Sequence, residues 1–188
     1  MSDYTIIENC SPTLAGLKTG SMFSCDYESR EEVLRQIRRL NQKLRRKGLH
    51  IIPVVFYETR VVIYLYRPDL LSKDLNNETA AGLLKDLGYH LENTEGCVAF
   101  LRRKMMKREE NWQFPHEVGF FLGYPPEDVV GFMENKARDF KCVGCWKVYG
   151  DVDKAREKFR TFRECTRCYA KRFHMGAKLE ELVVETPA

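Results

Sequence analysis

The chain has 188 residues, of which 44% are hydrophobic and 31% charged, as is typical of a soluble globular protein. Its net charge of +4 is below the basic excess usual in DNA-binding proteins, which argues against nucleic acid as the main partner. No apolar run approaches the roughly 20 residues that span a membrane, and "MSDYTIIENC" lacks the pattern of a secretory signal. We therefore expect a cytoplasmic protein with no membrane partner, whose seven cysteines stay reduced.

Two helices come first in the predicted order of elements. The segment "CSPTLAGLKTG" predicts a short helix that Ser11 caps, Pro12 begins and Gly20 ends. A second helix covers residues 30–47, with an apolar stripe on one face and a capping box at its start. Its other face carries the basic residues Arg35, Arg38, Arg39, Lys43, Arg45, Arg46 and Lys47. Such a face is either solvated or bound to phosphate, so nucleic-acid binding through this helix stays a weaker alternative.

The remaining elements follow from β-rich runs and from helix punctuation. "LHIIPVVFY" and "RVVIYLYR" predict an antiparallel hairpin near residues 49–67, with Pro53 at an edge or a bulge. Four helices, a short strand at "CWKVYG" and a long final helix capped by Asp151 follow. We predict a single α+β domain over residues 1–180, mostly helical with a small antiparallel sheet, and a frayed tail over residues 181–188.

Four cysteines near the C-terminus have the spacing of a metal site. Cys142, Cys145, Cys165 and Cys168 form C-x2-C-x19-C-x2-C, which is compatible with zinc or iron held by four thiolates. The second pair falls inside the final helix and off its inward stripe. The alternative is therefore that Cys165 is a partly buried hydrophobe and Cys168 a surface thiol. A redox dyad is disfavoured because such motifs begin helices.

A different pair of residues suggests thiol chemistry. Cys10 precedes the predicted first helix, whose dipole would stabilise a thiolate. His116 lies beside Glu117 at the start of another helix and could act as the base. The three residues would form a hydrolase- or transferase-like group if the fold brought them together. The alternative is that His116 is a capping residue and Cys10 is packed in the core.

The segment "FFLGYPPEDVVGF" predicts a corner between two helices, where Gly123 ends the first helix and Pro125 and Pro126, with Glu127 and Asp128, begin the second. The aromatic residues around this corner leave two interpretations open. "FFLGYPPEDVVGF" fits either core packing with a tight turn or a small-molecule pocket lined by Phe120, Phe121, Tyr124 and Trp146. No P-loop, dinucleotide fingerprint, zinc-protease motif or nucleophile elbow accompanies it.

Three segments together resemble a known family. "CSPTLAGLKTGSMF", "FPHEVGFFLGYPPEDVVGF" and "CWKVYGD" resemble a family of small proteins of anaerobic bacteria, known only as a domain of unknown function. The resemblance covers nearly the whole chain and implies a free-standing, single-domain cytosolic protein, but no activity. The positions that carry the pattern are Cys10, His116, Glu117, Gly119, Gly123, Tyr124, Pro125, Gly131, Trp146 and Lys147. Relatives often carry an aromatic residue in place of Cys145, which weakens the four-cysteine site as a family property.

Our preferred functional hypothesis is a cytosolic protein that binds a metal or a redox cofactor through Cys and His residues. Cys10, Cys142 and Cys165 could join His116 as ligands of a metal, haem or cluster, and Tyr124, Trp146 and Lys147 are the candidates for cofactor binding. The alternative from a different class is a thiol-dependent enzyme. The sequence leaves open whether the protein is an enzyme, and it favours a small molecule or metal as the partner.

Overall fold

The computed structural model describes residues 1–107 and 113–185. Eight α-helices lie in this part of the chain: α1 (Asp3–Leu14), α2 (Arg30–Leu44), α3 (Pro68–Leu75), α4 (Glu78–Asp86), α5 (Thr94–Met106), α6 (Val118–Phe121), α7 (Pro126–Glu134) and α8 (Val152–His174). Its five strands are β1 (Gly20–Asp26), β2 (His50–Phe56), β3 (Arg60–Tyr66), β4 (Cys142–Val143) and β5 (Lys147–Val148). The predicted fold class, mostly helical with a small antiparallel sheet, is confirmed. Among the described residues, no helix combines the length and apolarity needed to cross a membrane.

The chain forms two compact units, which we describe separately. The terminal unit contains Met1–Asp69 and the described residues from Glu164 onward. The central unit contains the described residues within Leu70–Arg163.

A three-stranded antiparallel sheet forms the centre of the terminal unit. Its strand order is β1-β3-β2, so the predicted hairpin of β2 and β3 is present and β3 is the middle strand. Strand β2 is an edge strand, and its pairing with β3 shifts register between Pro53 and Val55, in agreement with the expectation that Pro53 lies at an edge or a bulge. Helices α1 and α2 pack on this sheet, and α2 buries the predicted apolar stripe through Val33, Ile37 and Leu44.

The prediction for the first helix was wrong at both ends. Helix α1 begins at Asp3 because the side chain of Ser2 accepts a hydrogen bond from the Thr5 backbone, so Ser11 is no cap. Pro12 therefore lies inside the last turn, and the helix ends at Leu14. Gly20 begins strand β1, which the sequence did not predict because "GSMFSCD" contains no β-branched residue.

A buried arginine joins the ends of the elements in the terminal unit. Arg67 is 1% exposed and follows β3 directly. Its guanidinium donates to the backbone oxygens of Thr13, Leu14 and Val184, each at 2.7 Å. Two of these oxygens belong to the last turn of α1, where the negative end of the helix dipole favours a cation. Burial lowers the pKa of Arg67, and the three carbonyl oxygens compensate for the loss of water.

The central unit is built around the predicted corner between α6 and α7. Gly123 has a φ of +70°, a left-handed conformation that ends the first helix as the sequence predicted. Gly131 in α7 lies against Tyr149, since a Cβ at this glycine would come within 2.5 Å of the tyrosine Cγ. The short strands β4 and β5 form a hairpin, and Asp151 caps α8 through the backbone N–H groups of Asp153 and Lys154.

Candidate functional site

An open cavity of about 330 Å³ lies in the central unit. Its walls come from the α6–α7 corner on one side and the β4–β5 hairpin on the other. Eight of its lining side chains are aromatic, titratable or charged: Phe114, His116, Tyr124, Asp128, Phe132, Cys145, Trp146 and Lys147. Val118, Val129 and Val143 supply apolar surface. The cavity is thus mostly apolar, with a few polar groups at defined positions.

Asp128 fixes the hairpin against helix α7. Its side chain is only 3% exposed and lies in the first turn of that helix. Oδ2 accepts the indole N–H of Trp146 at 2.7 Å, and Oδ1 accepts the backbone N–H groups of Tyr149 and Gly150, each at 2.7 Å. Three donors and the positive end of the helix dipole stabilise this buried carboxylate. The position of Trp146 is therefore set by a charge-assisted hydrogen bond.

Tyr124 and Trp146 form the aromatic wall of the cavity. Their ring centroids are 4.9 Å apart and the planes are inclined by 29°, which is a stacked arrangement. The edge of the indole meets Phe159 with 4.5 Å between centroids. The Tyr124 hydroxyl donates to the backbone oxygen of Cys145 at 3.3 Å. Burial, with a contribution from Cys145, raises the pKa of Tyr124 to about 12, so the phenol is neutral at physiological pH.

Lys147 supplies a positive charge at the cavity wall. Its Nζ donates to the backbone oxygen of Ala137 at 2.7 Å. The same ammonium lies 4.7 Å from the ring centroid of Phe140 and 5.9 Å from that of Phe132. These cation–π contacts hold the flexible side chain in one place.

His116 lies at the exposed side of the same cavity. Its ring centroid is 5.1 Å from that of Phe132 and 5.7 Å from that of Phe114. The imidazole places a polar ring that can donate a hydrogen bond through an N–H on an otherwise aromatic rim. Three predicted cofactor-binding residues and the predicted base therefore line one cavity, although their roles stay predictions.

Glu117, predicted to assist His116, belongs to a separate buried cluster. It is 3% exposed, and its Oε1 accepts hydrogen bonds from Tyr89 at 3.1 Å and from Lys104. Burial and the neighbouring carboxylate raise the pKa of Tyr89. These contacts connect α5 to the segment before α6, which is a structural role.

Cys10 does not have the surroundings that the sequence suggested. It lies within α1 rather than ahead of a helix, and it is 0% exposed in the core of the terminal unit. Burial raises the pKa of its thiol to about 12, so the group is protonated at physiological pH. The expected stabilisation of a thiolate by a helix N-terminus is wrong, because the helix starts at Asp3. His116 belongs to the other unit, and its pairing with Cys10 stays a prediction.

The four cysteines with zinc-like spacing are divided between the units. Cys142 and Cys145 lie in the β4–β5 hairpin, and Cys165 and Cys168 lie in α8. Cys165 is half-buried with its pKa raised to about 11 by burial and by Cys168, whereas Cys168 is exposed. Nowhere in residues 1–107 and 113–185 are three or more His, Cys, Asp or Glu side chains grouped so that they could hold a metal ion. The metal site stays a prediction from spacing that the structure does not support.

Two residues of the cavity were missed by the sequence analysis. Asp128 was interpreted as one of two acidic residues that favour the start of a helix, and the sequence offers no signal that it binds an indole 18 residues later. Phe132 follows Val129 by three residues, which places both on one face of a helix, so its position is typical of a core residue. Only the fold shows that both face the hairpin that carries Trp146.

Comparison with known proteins gives one match. The model of a family described as a protein of unknown function, DUF3793, matches residues 6–183. Among curated proteins and among solved structures, nothing matches the chain.

Proposed function

The chain belongs to DUF3793, a family of unknown function, and we propose that it is a small-molecule-binding protein whose site is the cavity of the central unit. The observation that carries the proposal is the fixed aromatic wall, in which Asp128 holds Trp146 and Trp146 stacks on Tyr124. Small-molecule sites are concave and mostly apolar, with a few placed polar groups and volumes from about 300 Å³ upward. The cavity has each of these properties, and its size suits a small ligand.

Preorganisation of the wall supports binding. Trp146 is held by a 2.7 Å hydrogen bond and by its contact with Phe159, so its ring is positioned before a ligand arrives. A wall that is already ordered costs little conformational entropy on binding. This proposal keeps the predicted binding residues Tyr124, Trp146 and Lys147 and does not use the four cysteines.

The family resemblance and the amino-acid composition support a cytoplasmic location for this function. We propose a cytoplasmic binding protein, because the sequence combines seven cysteines with an ordinary globular composition. A thiol-dependent enzyme is less favoured, because burial keeps the Cys10 thiol protonated.

A fluorescence titration tests the proposal. The chain contains two tryptophans, and Trp112→Phe leaves Trp146 as its one indole. We expect the uncharged probe N-phenyl-1-naphthylamine to bind with saturation at one probe per chain and to receive excitation energy from Trp146. Absence of saturable energy transfer would refute the proposed site.

Two phenylalanines provide a matched pair of variants for this titration. Phe132 lines the cavity. Phe140 contacts Lys147 but is not one of the residues that line the cavity. Phe132→Ala should weaken probe binding at least about tenfold, because it removes an aromatic ring that lines the cavity. Phe140→Ala should leave probe binding within about twofold. Equal losses of probe affinity in the two variants would show that the probe binds outside this cavity.

A further inference from the structure

We infer that the cavity selects a small aromatic ligand carrying one anionic group such as a carboxylate, an inference that rests on the proposed function. The aromatic part of this ligand would contact Phe132 and the Tyr124–Trp146 wall. The anionic group would meet Lys147, with His116 as a further N–H donor at the exposed side.

The charge of Asp128 does not oppose an anion strongly. This carboxylate is 3% exposed, and three N–H donors at 2.7 Å surround its two oxygens. N–H dipoles aimed at a carboxylate reduce the negative potential around its oxygens, and the low exposure of Asp128 leaves a ligand little access to them. Asp128 therefore acts as a support for the wall, and Lys147 determines the sign of the potential felt by a ligand.

The ammonium of Lys147 has capacity for a ligand. An ammonium carries three donor hydrogens, and the contact with Ala137 uses one of them. The rings of Phe132 and Phe140 hold the group at 5.9 Å and 4.7 Å and partly exclude water from it. A charge-assisted hydrogen bond to an anion is strengthened where water is partly excluded.

The same arrangement disfavours a cationic ligand. Aromatic cavities often bind quaternary ammonium groups on ring faces. Here Lys147 itself lies over Phe132, so a cationic ligand at that ring would meet a like charge. Since three N–H groups already use the Asp128 carboxylate, it provides little attraction in return.

Two probes with the same ring skeleton test the charge preference. 8-Anilinonaphthalene-1-sulfonate is N-phenyl-1-naphthylamine with one added sulfonate, which stands in for the ligand's anionic group. In the Trp112→Phe chain we expect the anionic probe to bind at least about tenfold tighter than the neutral probe, and to lose affinity as salt is raised. Equal affinities would overturn the charge preference, yet the proposed function would stand.

Lysine variants identify the group that supplies the preference. Lys147→Met should weaken the anionic probe at least about tenfold and change the neutral probe less than about twofold, whereas Lys147→Arg should retain the preference. Lys141 is the matched control, because its Nζ also donates to a backbone oxygen, that of Gly150 at 2.8 Å, from outside the cavity. Lys141→Met should affect neither probe.

The results of these titrations distinguish a failure of the charge preference from a failure of the proposed function. If Lys147→Met weakens both probes equally, or if Lys141→Met has the same effect, the inference about charge is wrong while binding in the cavity stands. If N-phenyl-1-naphthylamine shows no saturable energy transfer from Trp146 in the Trp112→Phe chain, the proposed function fails, and the inference that rests on it fails with it. Thermal unfolding of each variant checks that the comparison is made between folded chains.

Discussion

The carboxylate of Asp128 receives three N–H groups in a buried position, so the geometry of the cavity depends on its charge and on both of its oxygens. Asp128→Asn replaces one carboxylate oxygen by an NH2 group. A buried N–H donor of the backbone or of Trp146 would then face another N–H donor instead of an acceptor. We expect a loss of about 1–3 kcal/mol in the free energy of unfolding, measured by urea denaturation. The exposed Asp153 in the first turn of α8 is the control, and Asp153→Asn should cost less than about 0.5 kcal/mol. Equal stabilities for the two variants would contradict this account.

The buried thiol of Cys10 gives a prediction on reactivity and pH. Its pKa is about 12 in the folded chain against an ordinary value of 9.0, so folding favours the protonated form. This stabilisation is complete below the unfolded pKa and is lost as the pH rises toward 12. At pH near 8, iodoacetamide should label the exposed Cys145 and Cys168 first and leave Cys10 unmodified until the chain unfolds. Preferential labelling of Cys10, detected by mass spectrometry of peptides, would restore the thiol-enzyme hypothesis.

At the scale of single residues, the sequence predicted which residues line the cavity better than it predicted the contacts that those residues make. Tyr124 and Trp146 belong to the pocket predicted from the aromatic segment, the family resemblance adds Lys147, and all three line the cavity. The other two residues of that predicted pocket, Phe120 and Phe121, are buried and are not among the residues that line the cavity. Asp128 could not be identified, because its contact with Trp146 depends on how β5 lies against α7. Cys10 was misjudged because its surroundings depend on where α1 begins, and the cap at Ser2 decides that.

At the scale of elements, the buried Arg67 links the end of β3 to the last turn of α1 and to Val184. A lysine cannot reproduce the planar fork that reaches three carbonyl oxygens. Arg67→Lys should therefore lower the free energy of unfolding by about 2–4 kcal/mol, since hydrogen bonds to charged groups contribute roughly 1.5–3 kcal/mol each. The exposed Arg60, which pairs with Asp26 at 3.2 Å, provides the comparison. Arg60→Lys should change stability by less than about 1 kcal/mol, and a similar loss for both would be evidence against the role of Arg67.

The contact between helix α7 and the residue after β5 can be tested with two helical glycines. Gly131→Ala places a methyl group 2.5 Å from Tyr149 Cγ, so we expect a loss of about 1–3 kcal/mol in unfolding free energy. Gly82 in α4 has no atom within 4 Å of the equivalent position, and Gly82→Ala should stabilise the chain by about 0.5–1 kcal/mol. Tyr149→Gly, which also removes the Cβ that would lie 2.6 Å away, should relieve the cost of Gly131→Ala in the double variant. Additive losses would show that the two residues do not meet.

Elements with strong local signals were predictable, and those that depend on tertiary pairing were not. The hairpin of β2 and β3 follows from β-branched runs, and the corner at Gly123 follows from glycine and proline. The cap at Asp151 follows from an aspartate placed directly ahead of a helical run. Strand β1 depends on pairing with β3, where Phe23 lies opposite Ile63, and its own sequence carries little β propensity.

At the scale of the whole chain, helix α8 contributes residues to both units, as α3 does. We propose that the chain unfolds as one domain, because a helix cannot melt in one half without losing backbone hydrogen bonds shared with the other half. In the Trp112→Phe chain, far-ultraviolet circular dichroism reports on all helices and Trp146 fluorescence reports on the central unit. The two urea transitions should coincide. Separate midpoints would show that the units unfold independently.

The measurement that tests the central claim most directly is the nitrogen–proton spectrum of the Trp112→Phe chain labelled with ¹⁵N at its tryptophan. Its one indole resonance belongs to Trp146, whose N–H bonds Asp128 at the wall of the cavity. We predict that 8-anilinonaphthalene-1-sulfonate shifts this resonance with saturation at one probe per chain, and that Lys147→Met requires at least about tenfold more probe for the same shift. A resonance that stays unchanged while the probe binds would contradict the claim that this cavity is the binding site.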